Sequence, residues 1–115
     1  MNLKDKPIDK TRLPSWLQLG EQGAVVTLAT PIKIADVSTD RLTLRAPTVR
    51  DVRAASAIAQ GNDEAHELAL FASMAQAAQR ELEGLTLTDY HRLQAAYFCL
   101  VQDDELWPAV AKVAG

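Results

Sequence analysis

The chain has 115 residues, with 12 Lys and Arg against 15 Asp and Glu, a formal net charge of −3 and a pI near 5.3. That balance argues against a phosphate-backbone binder, which normally presents a basic face. Apolar residues make up 48% of the chain but aromatics only 5%, so alanine supplies much of the apolar content. Hydrophobic stabilisation scales with roughly 25 cal/mol per Å² of apolar area, so these residues predict close-packed helices around a modest core. A single cysteine, Cys99, excludes an intramolecular disulfide and fits a reducing compartment. The basic start lacks a secretory apolar region, because Asp5, Asp9 and two prolines interrupt it. No apolar run approaches the roughly 20 residues that span a bilayer. The expectation is a soluble, cytoplasmic protein without membrane contact.

Residues 1–12 are polar and lack apolar periodicity, which predicts a flexible arm. L-P-S-W-L-Q-L-G, Leu13 to Gly20, reads as a short helical turn that docks Trp16 at the margin of the core. Residues 1–20 are thus an N-terminal extension, residues 21–102 the domain, and residues 103–115 a C-terminal tail.

Gly23 to Ile34 is the strongest strand signal, with Val26, Leu28 and Ile32 or Ile34 at apolar positions. Pro31 lacks an N–H and predicts an edge position or a bulge. Ala35 to Asp40 reads as a connection longer than a two-residue hairpin loop, and Arg41 to Arg45 as the returning strand. In Leu42 to Val52, L-T-L-R-A-P-T-V-R-D-V, the period changes from strand to helix. Thr48 with Asp51 three residues on predicts a capping box.

A first helix follows to about Gln60, with Val49, Val52, Ala55 and Ala59 on the core side, and Gly61 at its left-handed end. A second runs from about Glu64 to Glu81. Its apolar arc, Leu68, Phe71, Ala72 and Ala75 with Leu70, Met74, Ala77 and Ala78 beside it, is too wide for one buried face. T-L-T-D, Thr86 to Asp89, predicts a second capping box. It opens a third helix to about Gln102, striped by Tyr90, Leu93, Tyr97 and Leu100 or Val101, with Phe98 and Cys99 widening the stripe. The acidic run Asp103-Asp104-Glu105 is unfavourable at a helix C-terminus and predicts its stop. The fold class is α+β: an N-terminal β-hairpin followed by a three-helix part in one small domain.

Catalytic chemistry finds little support. His66 and His91 lie on different helices without other metal ligands at suitable spacing. Cys99 has no adjacent cation to lower its pKa. The glycines match neither a P-loop nor a dinucleotide fingerprint. The expectations are no catalytic residue, no cofactor and no metal site. Arg41, Arg45, Arg50 and Arg53 concentrate positive charge, but Asp40 and Asp51 dilute it and no aromatic residue is interleaved to stack on bases. Leu68, Phe71, Met74, Tyr97 and Phe98 are the candidate partner-binding residues.

From Val25 to about Gln102 the order of motifs resembles the tail assembly chaperone family of long-tailed, Mu-like and lambda-like bacteriophages and prophages. The resemblance rests on T-L-x-x-P-I at Thr27 to Ile32 and L-T-L-R-x-P-T-x-x-D at Leu42 to Asp51. It continues through E-L-A-L-F-A at Glu67 to Ala72, G-L-x-x-x-D-Y at Gly84 to Tyr90, and L-Q-A-A at Leu93 to Ala96. It implies a non-enzymatic protein of the bacterial host cytoplasm that binds the long, hydrophobic tape measure protein during tail morphogenesis and is missing from the finished virion. It also implies a frameshifted longer form as a companion, and the chain is expected to be monomeric or weakly self-associating until it meets the tape measure protein. The alternative is a structural tail or baseplate-associated protein retained in the virion.

Overall fold

The computed structural model describes residues 13–102. The expectations for the arm at residues 1–12 and for the acidic stop and tail at residues 103–115 lie outside the described residues. The fold is α+β, as the patterning predicts, but the hairpin gains a third strand. β1 (Leu17–Gly20), β2 (Gly23–Ile34) and β3 (Val37–Leu44) form an antiparallel sheet in the order β1-β2-β3. Leu13 to Gly20 is therefore a turn into a strand rather than a helical turn. The Leu17 N–H donates to the Pro14 carbonyl, and Leu17 to Gly20 then pair with Val26 to Gly23. Trp16 still anchors the margin, half-buried against the core, while its carbonyl accepts from the Thr27 N–H at 2.8 Å.

Gly23 closes that first hairpin at φ +129, and a Cβ there would collide with the Leu44 carbonyl, so the position admits only glycine. The second connection is shorter than expected. Ile34 pairs with Val37, leaving Ala35 and Asp36 as a two-residue loop with positive φ at both, 49° and 65°. Such a turn normally selects Asn or Gly. Ala35 holds the conformation here because a distant carboxylate takes its N–H, as described below.

β2 is the central strand, yet Pro31 is accommodated. β1 pairs only as far as Val26, and the register against β3 shifts between Thr27 and Ile32. Pro31 therefore sits in a bulge where no ladder bond needs its missing N–H. Before the bulge the alternation is regular: Ala24, Val26 and Leu28 face the core with Leu42 and Leu44 of β3, while Gln18, Arg41 and Thr43 are exposed.

Four helical segments follow: α1 (Val49–Ala59), α2 (Asp63–Ala75), the single turn α3 (Gln79–Leu82) and α4 (Leu87–Val101). α4 packs on β2, α2 on β3, and α1 on α2. α1 begins with the predicted capping box, and its left-handed end is Gln60, at φ 48, with Gly61 after it. Its core side is narrower than predicted. Ala55 and Ala59 are buried, but Val49 and Val52 are exposed, because α1 packs chiefly on α2.

The single second helix expected to reach Glu81 stops at Ala75. Gln76 adopts the left-handed conformation at φ 55. The Ala77 N–H then returns to the Ala72 carbonyl and the Gln76 N–H to the Ser73 carbonyl. This is a Schellman arrangement built without glycine. Leu82, on the separate turn α3, reaches the core. At the same place the Arg45 N–H caps the Met74 carbonyl, binding the end of α2 to the strand exit.

Candidate interaction surface

α2 and α4 meet along an aromatic seam. Phe71 lies between Tyr90 and Tyr97, each ring centroid 5.6 Å away and tilted, a favoured arrangement for aromatic pairs. Above it the Glu67 carboxylate accepts from the Tyr90 hydroxyl at 2.7 Å and from the Gln94 amide at 2.9 Å. Burial first, and then the hydrogen bond to Glu67, pushes the Tyr90 phenol well above its ordinary range.

The five candidate binding residues separate by depth along this seam. Phe71 and Met74 are core residues, 0% and 1% exposed; a contact through them would require that core to open. Leu68 and Tyr97 are half-buried and pack against the core, each with one side toward solvent. Phe98 is 36% exposed, and Leu87 and Val101 on the same helix are exposed as well. Leu87, Phe98 and Val101, spaced by eleven and three residues, share one face of α4. Along this seam the exposed apolar side chains lie on α4, with Leu68 half-buried beside them. The wide arc of α2 is consumed by neighbours on both sides, as a helix between two packing partners requires.

Five polar side chains, Arg45, Asp51, Glu81, Asp89 and Arg92, hold the frame beneath this surface. Only Asp51 is in the role that spacing predicts. Its carboxylate accepts the Thr48 N–H at 2.8 Å and also a bidentate pair from Arg45, at 2.6 and 2.9 Å. The R-x-P-T-x-x-D motif is thus a clasp across the strand-to-helix junction. Arg45, first, and then the Thr48 N–H hold the Asp51 carboxyl well below the usual carboxylate range, and the Arg45 guanidinium is raised in return.

Asp89 departs from its prediction. Thr86 caps the Asp89 N–H as expected, but the Asp89 carboxylate does not return to the cap. It turns to the bulge of β2 and accepts the Ala29 N–H at 2.7 Å and the Thr30 N–H at 3.0 Å. Asp89 is the one fully buried charged side chain among the described residues. Arg92, one turn on, donates to the Thr27 carbonyl at 2.8 Å, lies 3.9 Å from Asp89 and stacks over the Trp16 ring at 5.3 Å. Glu81 completes the set, taking the Ala78 N–H at 2.8 Å and the Ala35 N–H at 2.6 Å. Sequence patterning alone missed Glu67, Glu81 and Arg92. The available signal for Asp89 was the bulge itself, since displaced strand N–H groups need an acceptor.

Two of these carboxyls make stability depend on pH. Asp51 and Glu81 are both held below their ordinary range, Glu81 by the Ala78 and then the Ala35 N–H. The unfolded chain then binds more protons than the folded chain as pH falls. Their stabilisation is present above the ordinary carboxylate range of about pH 4 and is lost on acidification through it. Denaturant midpoints measured across that range should fall toward acid, and the double variant Asp51→Asn, Glu81→Gln should show a flatter decline. An equally steep decline in the variant would contradict this assignment.

Among the described residues no group of three or more His, Cys, Asp or Glu could hold a metal ion. Cys99 is buried and forms no disulfide. No helix of the described residues is long and apolar enough to cross a membrane.

The frame and the surface above it coincide with a known family. Residues 25–102 match the model of the phage tail assembly chaperone proteins, E, or 41 or 14. The chain belongs to this family. The matched span begins inside β2 and ends after α4, so it takes in the bulge, the Arg45–Asp51 clasp, the aromatic seam and Asp89. β1, at the edge of the sheet, and Trp16 of this tail assembly chaperone lie outside the matched span. No curated protein and no solved structure matches the chain.

Proposed function

We propose that this chain is a non-enzymatic chaperone that binds the tape measure protein during tail morphogenesis in the cytoplasm of the bacterial host and leaves before the virion is complete. The observation that carries the reading is the family match across nearly all of the folded frame. The physical support is the α4 face. Leu87, Phe98 and Val101 offer a broad, shallow apolar surface on a helix, which suits reversible capture of an apolar helical segment better than a deep pocket would. Leu68, Tyr97 and Phe98 make the contact, while Phe71 and Met74 support it from beneath. The protein partners are the tape measure protein, a frameshifted longer form sharing this fold, and weakly a second copy.

Co-expression with the neighbouring tape measure gene tests the reading. The tape measure protein should stay in solution and co-purify with this chain, and mass spectrometry of purified virions should find the tape measure protein without the chaperone. A tape measure protein that remains insoluble and never co-purifies would remove the reading. Stoichiometric retention of this chain in the virion would favour a structural tail component.

A further inference from the structure

The outward face of α4 carries a regular pattern of apolar and polar side chains. Leu87, His91, Gln94, Phe98 and Val101 follow one another at steps of four, three, four and three residues. Such a heptad spacing lets one helix pack its side chains along another. With roughly 100° of turn per residue the five lie within an arc of about 80°. That arc is opposite Leu93 and Ala96, which are buried against the rest of the fold. Leu87 is 74% exposed and Phe98 36%; His91 and Val101 are exposed and Gln94 is half-buried.

The stripe is apolar at its ends and polar in the middle. Gln94 gives an amide N–H to Glu67 at 2.9 Å, which leaves its carbonyl oxygen without a partner among the described residues. His91 makes no hydrogen bond among the described residues either. A helix that covers this face must therefore bring polar groups to the middle and apolar groups to the ends, because polar groups buried without a partner are destabilising. A second α4 running antiparallel does both. Leu87 and Phe98 are symmetric about the midpoint between Arg92 and Leu93, and so are His91 and Gln94. Turned end for end, the second helix sets Leu87 opposite Phe98 and His91 opposite Gln94, each pair twice across a two-fold axis. An imidazole N–H of one copy then meets an acceptor on the other that is backed by the Glu67 carboxylate.

We propose that α4 pairs with the α4 of a second copy, antiparallel, through two Leu87–Phe98 layers on either side of two His91–Gln94 layers. Polar layers in a helix seam fix register and partner number while lowering stability, so the dimer is weak and reversible. It covers the face assigned above to the tape measure protein, so pairing and capture exclude each other. That consequence rests on the tape measure reading; the dimer itself is a property of the isolated chain.

Sedimentation equilibrium of the isolated full chain, without the tape measure protein, tests it. The average mass of the parent should rise from one copy toward two as concentration increases to about 1 mM, the range of weak association. Leu87→Glu and Phe98→Lys, each checked for folding by circular dichroism, should separately weaken the dimer about tenfold or more. The combined variant should recover it, because the antiparallel register sets the two introduced charges, opposite in sign, against each other. His91→Glu, at an exposed position away from the core, should also weaken it by facing Glu67 of the other copy. A parent that stays monomeric throughout would overturn the proposal. So would folded single variants that dimerise like the parent, or a combined variant no stronger than either single one.

Discussion

Asp89→Ala is expected to be among the most damaging single substitutions in the chain, although Asp89 touches nothing outside its own fold. Its carboxylate is fully buried and takes both the Ala29 and the Thr30 N–H groups. Removing it strands two donors at the only irregular point of the central strand and withdraws an acid from the first turn of α4. Hydrogen bonds to a charged group contribute about 1.5–3 kcal/mol each, and a buried donor left unmet costs about 1–3 kcal/mol. A combined loss of about 3 kcal/mol follows, or a fall of roughly 10 °C or more in Tm for a domain of this size. Asp89→Asn should recover only part of it, since one of its two terminal atoms is a donor facing donors. Thermal and urea unfolding of the three proteins would check this; an Asp89→Ala protein within about 0.5 kcal/mol of the parent would show that the bulge finds other acceptors at little cost.

The second large effect is expected at Phe71. Its ring is fully buried between Tyr90 and Tyr97 and joins α2 to α4. Phe71→Ala should cost about 3–5 kcal/mol through lost burial and the cavity left behind. In a domain of ordinary marginal stability that is enough to populate the unfolded state heavily. Phe71→Leu, which keeps most of the volume, should cost clearly less. Any loss of partner capture by Phe71→Ala should therefore track its loss of structure, measured by circular dichroism on the same sample. Full structure with abolished capture would instead make Phe71 a contact residue in an opened seam.

These two residues also show what the sequence could convey. The change of period at Pro47 and the Thr48–Asp51 pair placed the strand-to-helix junction correctly, because both signals are local. α4 likewise follows from its own periodicity and its Thr86 cap. Long-range polar choices were not legible. Asp89 at the third helical position reads as a local capping acid, and only the neighbouring bulge of β2, some sixty residues earlier, diverts it. The same holds for Glu81, whose reach to Ala35 stabilises a two-residue turn that Ala35-Asp36 would not suggest. The break at Gln76 was hidden because a left-handed helix end was signalled by no glycine. β1 was hidden because four residues are too few to show a period.

The surface suffered from the opposite difficulty. An apolar arc on a helix states that something covers it, but not whether the cover is the rest of the chain or a partner. On α2 the cover is internal, so Phe71 and Met74 are core. On α4, Leu87 and Val101 are exposed and Phe98 is 36% exposed. Because surface substitutions away from caps and buried groups usually change stability by less than about 0.5 kcal/mol, this face can be altered without disturbing the frame beneath it.

The most direct measurement is capture of the co-expressed tape measure protein by the parent chain and by Phe98→Asp, with unfolding followed in parallel. A folded Phe98→Asp protein should hold the tape measure protein at least tenfold more weakly, about 1.4 kcal/mol, and leave more of it insoluble. Undiminished capture by that folded variant would contradict the α4 face as the chaperone's binding surface.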